Sequence, residues 1–211
     1  MTSPTTSPVK LAVVYYSSTG TTAEIAREIA ETAEKAGAEV RLRRAAETAP
    51  DAALDANPAW RAHATADAGT AHAEPGDIEW ADAVVFGSPT RFGNVAAQLK
   101  QFLDTLGGLW AQGLLADKVY SGFVTSSTRH GGQEATLLAL YQSVHHFGGI
   151  LVAPGYTDPA KFADGNPYGT SHVAGRGDLP VDEVTRAAAR VQAERMVRIT
   201  AALRAGLTAA G

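Results

Sequence analysis

The sequence predicts an α/β fold in which helices cover both faces of a doubly wound parallel sheet. Three observations carry this. Short apolar runs without a polar break, such as residues 9–16, look like strands buried on both faces. These runs alternate with stretches of helical period, in the order strand–helix repeated and closed by a final helix. Three of the runs lead straight into loops made of Ser, Thr, Gly, Asn and Pro.

The first strand, residues 9–16, opens into the polar turn Ser17-Ser18-Thr19-Gly20-Thr21-Thr22. A helix over 23–36 follows, with Ile25, Ile29 and Ala33 on one face and Gly37 as a left-handed stop. A short second strand covers 40–42. Residues 45–76 are rich in Ala, Asp, Thr and Pro without a period, and read as an irregular insertion with a short helical piece near Trp60. The third strand is 83–87. After the loop 88–94, a helix over 95–106 puts Val95, Leu99, Phe102, Leu103 and Leu106 on one face. A fourth strand over 119–125 leads by a polar loop to a helix over 133–147. The fifth strand, 150–152, stops at Pro154-Gly155. Residues 156–179 read as irregular. Pro180 then suits the first turn of a terminal helix, with Asp182 and Glu183 behind it and Ala189, Ala193, Met196, Ile199 and Leu203 as its buried stripe. The expected organisation is a disordered lead over 1–8, one domain over 9–205 and a tail over 206–211.

Composition narrows the function. The chain has 211 residues, 45% of them hydrophobic, enough for one sizeable core. It contains no cysteine, which excludes a disulfide scaffold, a thiolate metal site and a cysteine nucleophile. No metal site is expected. No apolar run approaches the roughly 20 residues that span a bilayer, and the N-terminus does not read as a signal peptide. A cytoplasmic protein is expected. The net charge of −4 argues against nucleic acid as a partner. The basic group Arg41, Arg43 and Arg44 reads as a solvated strand edge.

In a sheet of this kind ligands bind beyond the carboxyl ends of the strands. The first loop offers five hydroxyls around one glycine and opens a helix, which suits a phosphate. Ordinary N-capping by Ser or Thr is the alternative use of the same residues. Neither a GxGxxG nor a GxxxxGK[ST] motif is present. The second loop, Gly87-Ser88-Pro89-Thr90-Arg91-Phe92-Gly93-Asn94, combines a cation, an aromatic ring and backbone-permissive glycines. A flat redox-active heteroaromatic needs donors at its edge and an apolar surface at its face. An ordinary turn before a helix would also explain this loop alone.

Val13-Val14-Tyr15-Tyr16-Ser17-Ser18-Thr19-Gly20 resembles the opening of flavodoxin-like FMN proteins. Ser88-Pro89-Thr90-Arg91-Phe92-Gly93-Asn94, Gly107-Gly108-Leu109-Trp110, Gly131-Gly132-Gln133-Glu134 and His145-His146-Phe147-Gly148 resemble the WrbA-type NAD(P)H:quinone oxidoreductases. That resemblance implies a flavodoxin-like sheet in strand order 2-1-3-4-5, FMN as cofactor, NADH or NADPH as co-substrate, a quinone as substrate and a homotetramer. By position it implies that Ser17, Ser18, Thr19, Gly20, Thr21 and Thr22 bind the FMN phosphate. It also implies that Pro89, Thr90, Arg91, Phe92, Gly93 and Asn94 hold the isoalloxazine. Ser126, Ser127, Thr128, Arg129, His130 and Gly131 would line the flavin's far edge. Thr19 would meet the nicotinamide nucleotide, and Trp110 would cover the substrate space from a neighbouring subunit. His146 would contact flavin or substrate and supply a proton, or serve as a structural histidine bonded to backbone. Arg129 and His130 stand where relatives are richer in glycine. They would favour the 2′-phosphate of NADPH, or simply point to solvent. An electron carrier of the flavodoxin type, without NAD(P)H turnover, is the rival function.

Overall fold

The apolar runs become the lanes of one parallel sheet. In the computed structural model, which describes residues 7–210, β1 (Lys10–Tyr15), β2 (Glu39–Arg44), β3 (Ala83–Arg91), β5 (Val119–Ser126) and β6 (Ile150–Leu151) pair in the order β2-β1-β3-β5-β6. This is the flavodoxin-like 2-1-3-4-5 arrangement. All eight residues of β5 are buried. Side chains alternate between two layers, as the period of a strand demands. Leu11, Val13 and Tyr15 face one core, packed by α1 (Thr21–Lys35) and α9 (Glu183–Ala210); Ala12 and Val14 face the other, packed by α5 (Ala97–Asp104) and α7 (Gln133–Phe147).

Two short strands extend the five lanes. β4 (Asn94–Val95) folds back antiparallel on the end of β3, so the expected loop 88–94 is largely the tip of a hairpin. β7 (Thr170–Val173) pairs with Phe123 to Ser126 of β5, beyond the two residues that β6 covers. The fifth lane is therefore split, and the chain leaves the sheet between its halves. That detour contains α8 (Pro159–Asp164), where an irregular stretch was expected. Asp158 caps α8 by accepting from the Ala160 N–H at 2.9 Å, and a fully buried Lys161–Asp164 ion pair fixes it.

The supposed irregular insertion is also helical. It holds α2 (Asp51–Asp55) and α3 (Pro58–Ala66), and α4 (Pro75–Trp80) starts at its end. Each is too short to show a period, and polar anchors rather than an apolar stripe hold the segment. The helix expected over 95–106 ends at Asp104, and α6 (Gly107–Ala111) follows it. At the C-terminus Pro180 lies outside the helix; Asp182 accepts from the Thr185 N–H at 2.8 Å and is the cap. α9 continues to Ala210, through the expected tail, because its last turns are rich in Ala and Leu. Residues 1–6 of the expected lead lie outside the described residues, while the Ser7 and Pro8 carbonyls accept from Arg204 at 3.2 and 2.9 Å. Among the described residues, no helix is long and apolar enough to cross a membrane.

Candidate functional site

β1, β3 and β5 end at the same edge of the sheet, so the three polar loops meet there. Between them lies a cleft of about 180 Å³. Ser17, Ser18, Thr19, Thr21 and Thr22 line one side, Pro89, Thr90 and Arg91 another, and Ser126 and Ser127 a third.

The first loop does not spend its hydroxyls on capping. The N-cap of α1 is Gly20, in a left-handed conformation at φ 102°, with no side-chain cap. A side chain is disfavoured at such a φ, which explains the glycine. The Ser17 hydroxyl accepts from the Gly20 N–H at 3.1 Å, and the Thr22 hydroxyl meets that of Thr125 at 2.9 Å, tying the loop to β5. The first turn of α1 therefore presents its amides and the positive end of its dipole to the cleft. That arrangement fits a phosphate.

The inserted helices brace this loop. Asp67 is buried and accepts from Tyr15 Oη at 2.8 Å, Arg27 Nη2 at 3.0 Å and Thr70 Oγ1 at 2.9 Å. Burial, together with the Asp67 carboxylate, pushes the Tyr15 hydroxyl up to about 12. Glu47 accepts from Tyr16 Oη at 2.8 Å, Trp60 Nε1 at 2.9 Å and Gln98 Nε2 at 2.7 Å. Burial pulls the Glu47 carboxyl upward, but these donors and the Ala49 N–H outweigh it and hold the group below the usual range. His63 lies beside Gly20, with Nδ1 3.5 Å from where a β-carbon on that glycine would stand.

The second loop is a two-residue hairpin. Phe92 and Gly93 have φ of 54° and 77°, the pair of positive values that such a turn needs. Phe92 is fully exposed, and neither it nor Gly93 nor Asn94 lines the cleft. Neither burial nor backbone preference accounts for a large apolar side chain at this position. Thr90 Oγ1 accepts from Thr136 Oγ1 at 2.7 Å, which locks the hairpin to α7.

The third loop divides. Ser126 and Ser127 reach the cleft. Arg129 and His130 do not: they line a separate groove of about 810 Å³ beside His172 and Asn166. Thr128 and Gly131 line neither; the Thr128 carbonyl accepts from Ser126 Oγ and from the Gly131 N–H, closing the loop on itself.

His146 and Trp110 are elsewhere. A helix that starts at the carboxyl edge of the sheet must return against the strands, so the last turn of α7 reaches the opposite edge. Its 15 residues span about 22 Å. His146 is exposed there, and its carbonyl accepts from Trp110 Nε1 at 2.8 Å. Within one chain neither residue lines the cleft, although His146 was expected to contact flavin or substrate. Conversely, the cleft contains residues that the sequence did not single out: Thr125, Asn57 from the insertion, and residues 174–177 after β7. The only hint of the last group was an arginine flanked by two glycines.

Comparison with known proteins agrees with this geometry. Residues 9–159 match the family described as NADPH-dependent FMN reductase. A protein named NAD(P)H dehydrogenase (quinone) from Deinococcus radiodurans is 49% identical over 199 residues, covering 94% of this chain and 98% of the relative. A protein of the same name from Azorhizobium caulinodans is 39% identical over 200 residues, covering 92% and 98%. The WrbA-like flavodoxin of Agrobacterium tumefaciens superposes with a TM-score of 0.64 at 23% identity, covering 92% of this chain and 98% of that one. An archaeal flavodoxin does so with a TM-score of 0.60 at 13% identity, covering 92% and 99%. These two structures speak for the fold alone. The match over residues 9–159 and the close, full-length relatives place the chain in the NADPH-dependent FMN reductase family.

Proposed function

We propose that the protein is an FMN-dependent NAD(P)H:quinone oxidoreductase that reduces quinones by two electrons. One observation carries this reading: an uncapped helix start ringed by five hydroxyls lies next to an exposed aromatic ring at a hairpin tip. The name borne by the curated relatives supplies the substrate class. Bound FMN supplies hydride relay between nicotinamide and quinone.

In this reading the chain's own residues hold and shield. Ser17, Ser18, Thr19, Thr21 and Thr22 bind the phosphate with their hydroxyls and the first-turn amides of α1, and Gly20 sets the turn. Thr90, Arg91 and Phe92 hold the ring, with Phe92 against its face. Ser126 and Ser127 close the far side. Thr19 meets the nicotinamide nucleotide. Trp110 and His146 serve the cleft of a neighbouring subunit in a homotetramer, His146 as proton donor. Their shared, exposed position at the edge away from their own cleft supports that division. The lack of cysteine fits a cytoplasmic location.

The two substrates compete for one ring face and take turns. Flavin released by heat and separated by chromatography is expected to be FMN. Oxidation of NADH or NADPH by benzoquinone is expected to give parallel double-reciprocal lines. Recovery of FAD, or binding of FMN without NAD(P)H turnover, overturns the reading, the second result in favour of an electron carrier.

A further inference from the structure

One wall of the cleft comes from none of the three strand-end loops. It is the turn over residues 174–177, between β7 and α9. We propose that Arg176 in this turn is the cation that neutralises the flavin phosphate, and so makes the protein select FMN over riboflavin. The proposal rests on the FMN reading above and adds a residue to it.

The argument begins with charge. A phosphate monoester carries nearly two negative charges at neutral pH, and a charge taken out of water needs a partner. The first loop supplies only hydroxyls and amides. Among the described residues that line the cleft, two are charged, Arg91 and Arg176, and both are cationic. Arg91 belongs to the hairpin and also reaches the first loop: Nη1 donates to the Thr90 carbonyl at 3.0 Å and Nη2 to Ser18 Oγ at 3.4 Å. It is bonded at both ends of its guanidinium within the chain. Arg176 stands in the turn that joins the first and third loops, and its guanidinium enters no ion pair among the described residues.

The turn is also built to stay there. The Ala174 N–H donates to the Ser126 carbonyl at 2.7 Å, which pins its start to the third loop. The Gly177 N–H donates to the Ala174 carbonyl at 2.8 Å and closes the turn. At its far end Gly177 lies against the first loop: a β-carbon there would stand 2.7 Å from Thr19 Oγ1. Glycine is the residue that permits this approach, at φ 93°. Asp178 is turned to the backbone, accepting from the Arg176 N–H at 2.8 Å. The backbone of Arg176 is thus held where the turn bridges the first and third loops.

The test is a fluorescence titration of the full chain, stripped of flavin, with FMN and with riboflavin. Arg176→Gln is expected to weaken FMN binding roughly tenfold to a hundredfold at low salt, as the loss of a charge-assisted contact does. Riboflavin affinity is expected to stay unchanged, and Arg176→Lys to recover most of the loss. The FMN difference should shrink as salt is raised. An equal loss for both flavins, or none for FMN, overturns the assignment. So does a raised KM for NADPH but not NADH with FMN affinity intact, which would give the cation to the 2′-phosphate. If the unaltered chain binds neither flavin, the FMN reading itself falls, a result distinct from all of these.

Discussion

Phe92 is a residue whose place local stability does not explain. Its backbone is left-handed at φ 54° and its ring is fully exposed, so neither backbone preference nor burial explains it. Phe92→Gly is expected to leave the flavin-free protein as stable or up to about 1 kcal/mol more stable, because the strained position no longer carries a β-carbon. Flavin affinity should fall. Thermal unfolding and a flavin titration of the same variant check both halves; a destabilised variant with unchanged affinity contradicts the role given to the ring. His63 offers a pH test. Burial lowers its pKa, and Arg27 and Arg44 lower it further, against the pull of Asp67. The folded value therefore lies below the ordinary 6.5. In the interval between the two, the unfolded chain binds the proton first, so stability rises with pH there and the contribution is lost as pH falls through the folded value. Denaturant unfolding at several pH values should show a shallower slope in that interval for His63→Gln than for the unaltered chain. Equal slopes would mean that this imidazole does not titrate with folding.

At the scale of elements, α8 depends on one buried ion pair. Lys161 and Asp164 are almost completely buried, and Lys161 Nζ also donates to the Gly169 carbonyl at 3.1 Å. Burial pulls the ammonium down and pushes the carboxyl up, against the attraction of each for the other. Lys161→Met should destabilise the fold by about 3–5 kcal/mol, since it strands a carboxylate in the interior. Adding Asp164→Leu should recover most of that loss, because a well-packed apolar pair needs no charge partner. Chemical denaturation of the single and double variants measures it. A double variant as unstable as the single would show that the pair supplies more than mutual neutralisation. α8 sits in the detour between β6 and β7, so the same variants test whether that detour positions residues 174–177.

For the whole molecule, the geometry separates the two ends of the sheet. The cleft lies at the carboxyl edge, and Trp110 and His146 at the other. A single chain therefore does not place Trp110 over its own cleft. If active sites are completed between copies, sedimentation at working concentration should show a tetramer. Trp110→Ala should then raise the KM for quinone several-fold while leaving FMN affinity within a factor of about two, since the ring would cover substrate rather than hold cofactor. A fully active monomer contradicts both expectations.

The sequence by itself determined the sheet, because strands buried on both faces must be continuous apolar runs, and residues 9–16, 83–87 and 119–125 are such runs. It also determined the hydroxyl loop, because Ser17 to Thr22 lie together in the chain as they do in space. Local chemistry was harder to read where elements are short. α3, α4 and α8 are held by Asn57, Asp67, Asp77, Asp158 and Lys161 through polar contacts that carry no period. Only the tertiary structure decided what is distant in sequence. It brought Arg176 to Thr19 across more than 150 residues, set Asn57 in the cleft, and turned Arg129 and His130 into another groove. It also carried His146 away, because a crossover helix returns to the opposite edge of the sheet. Which loops meet follows from the strand order, but which side chains enter the cleft follows from turns and anchors closed by partners far along the chain.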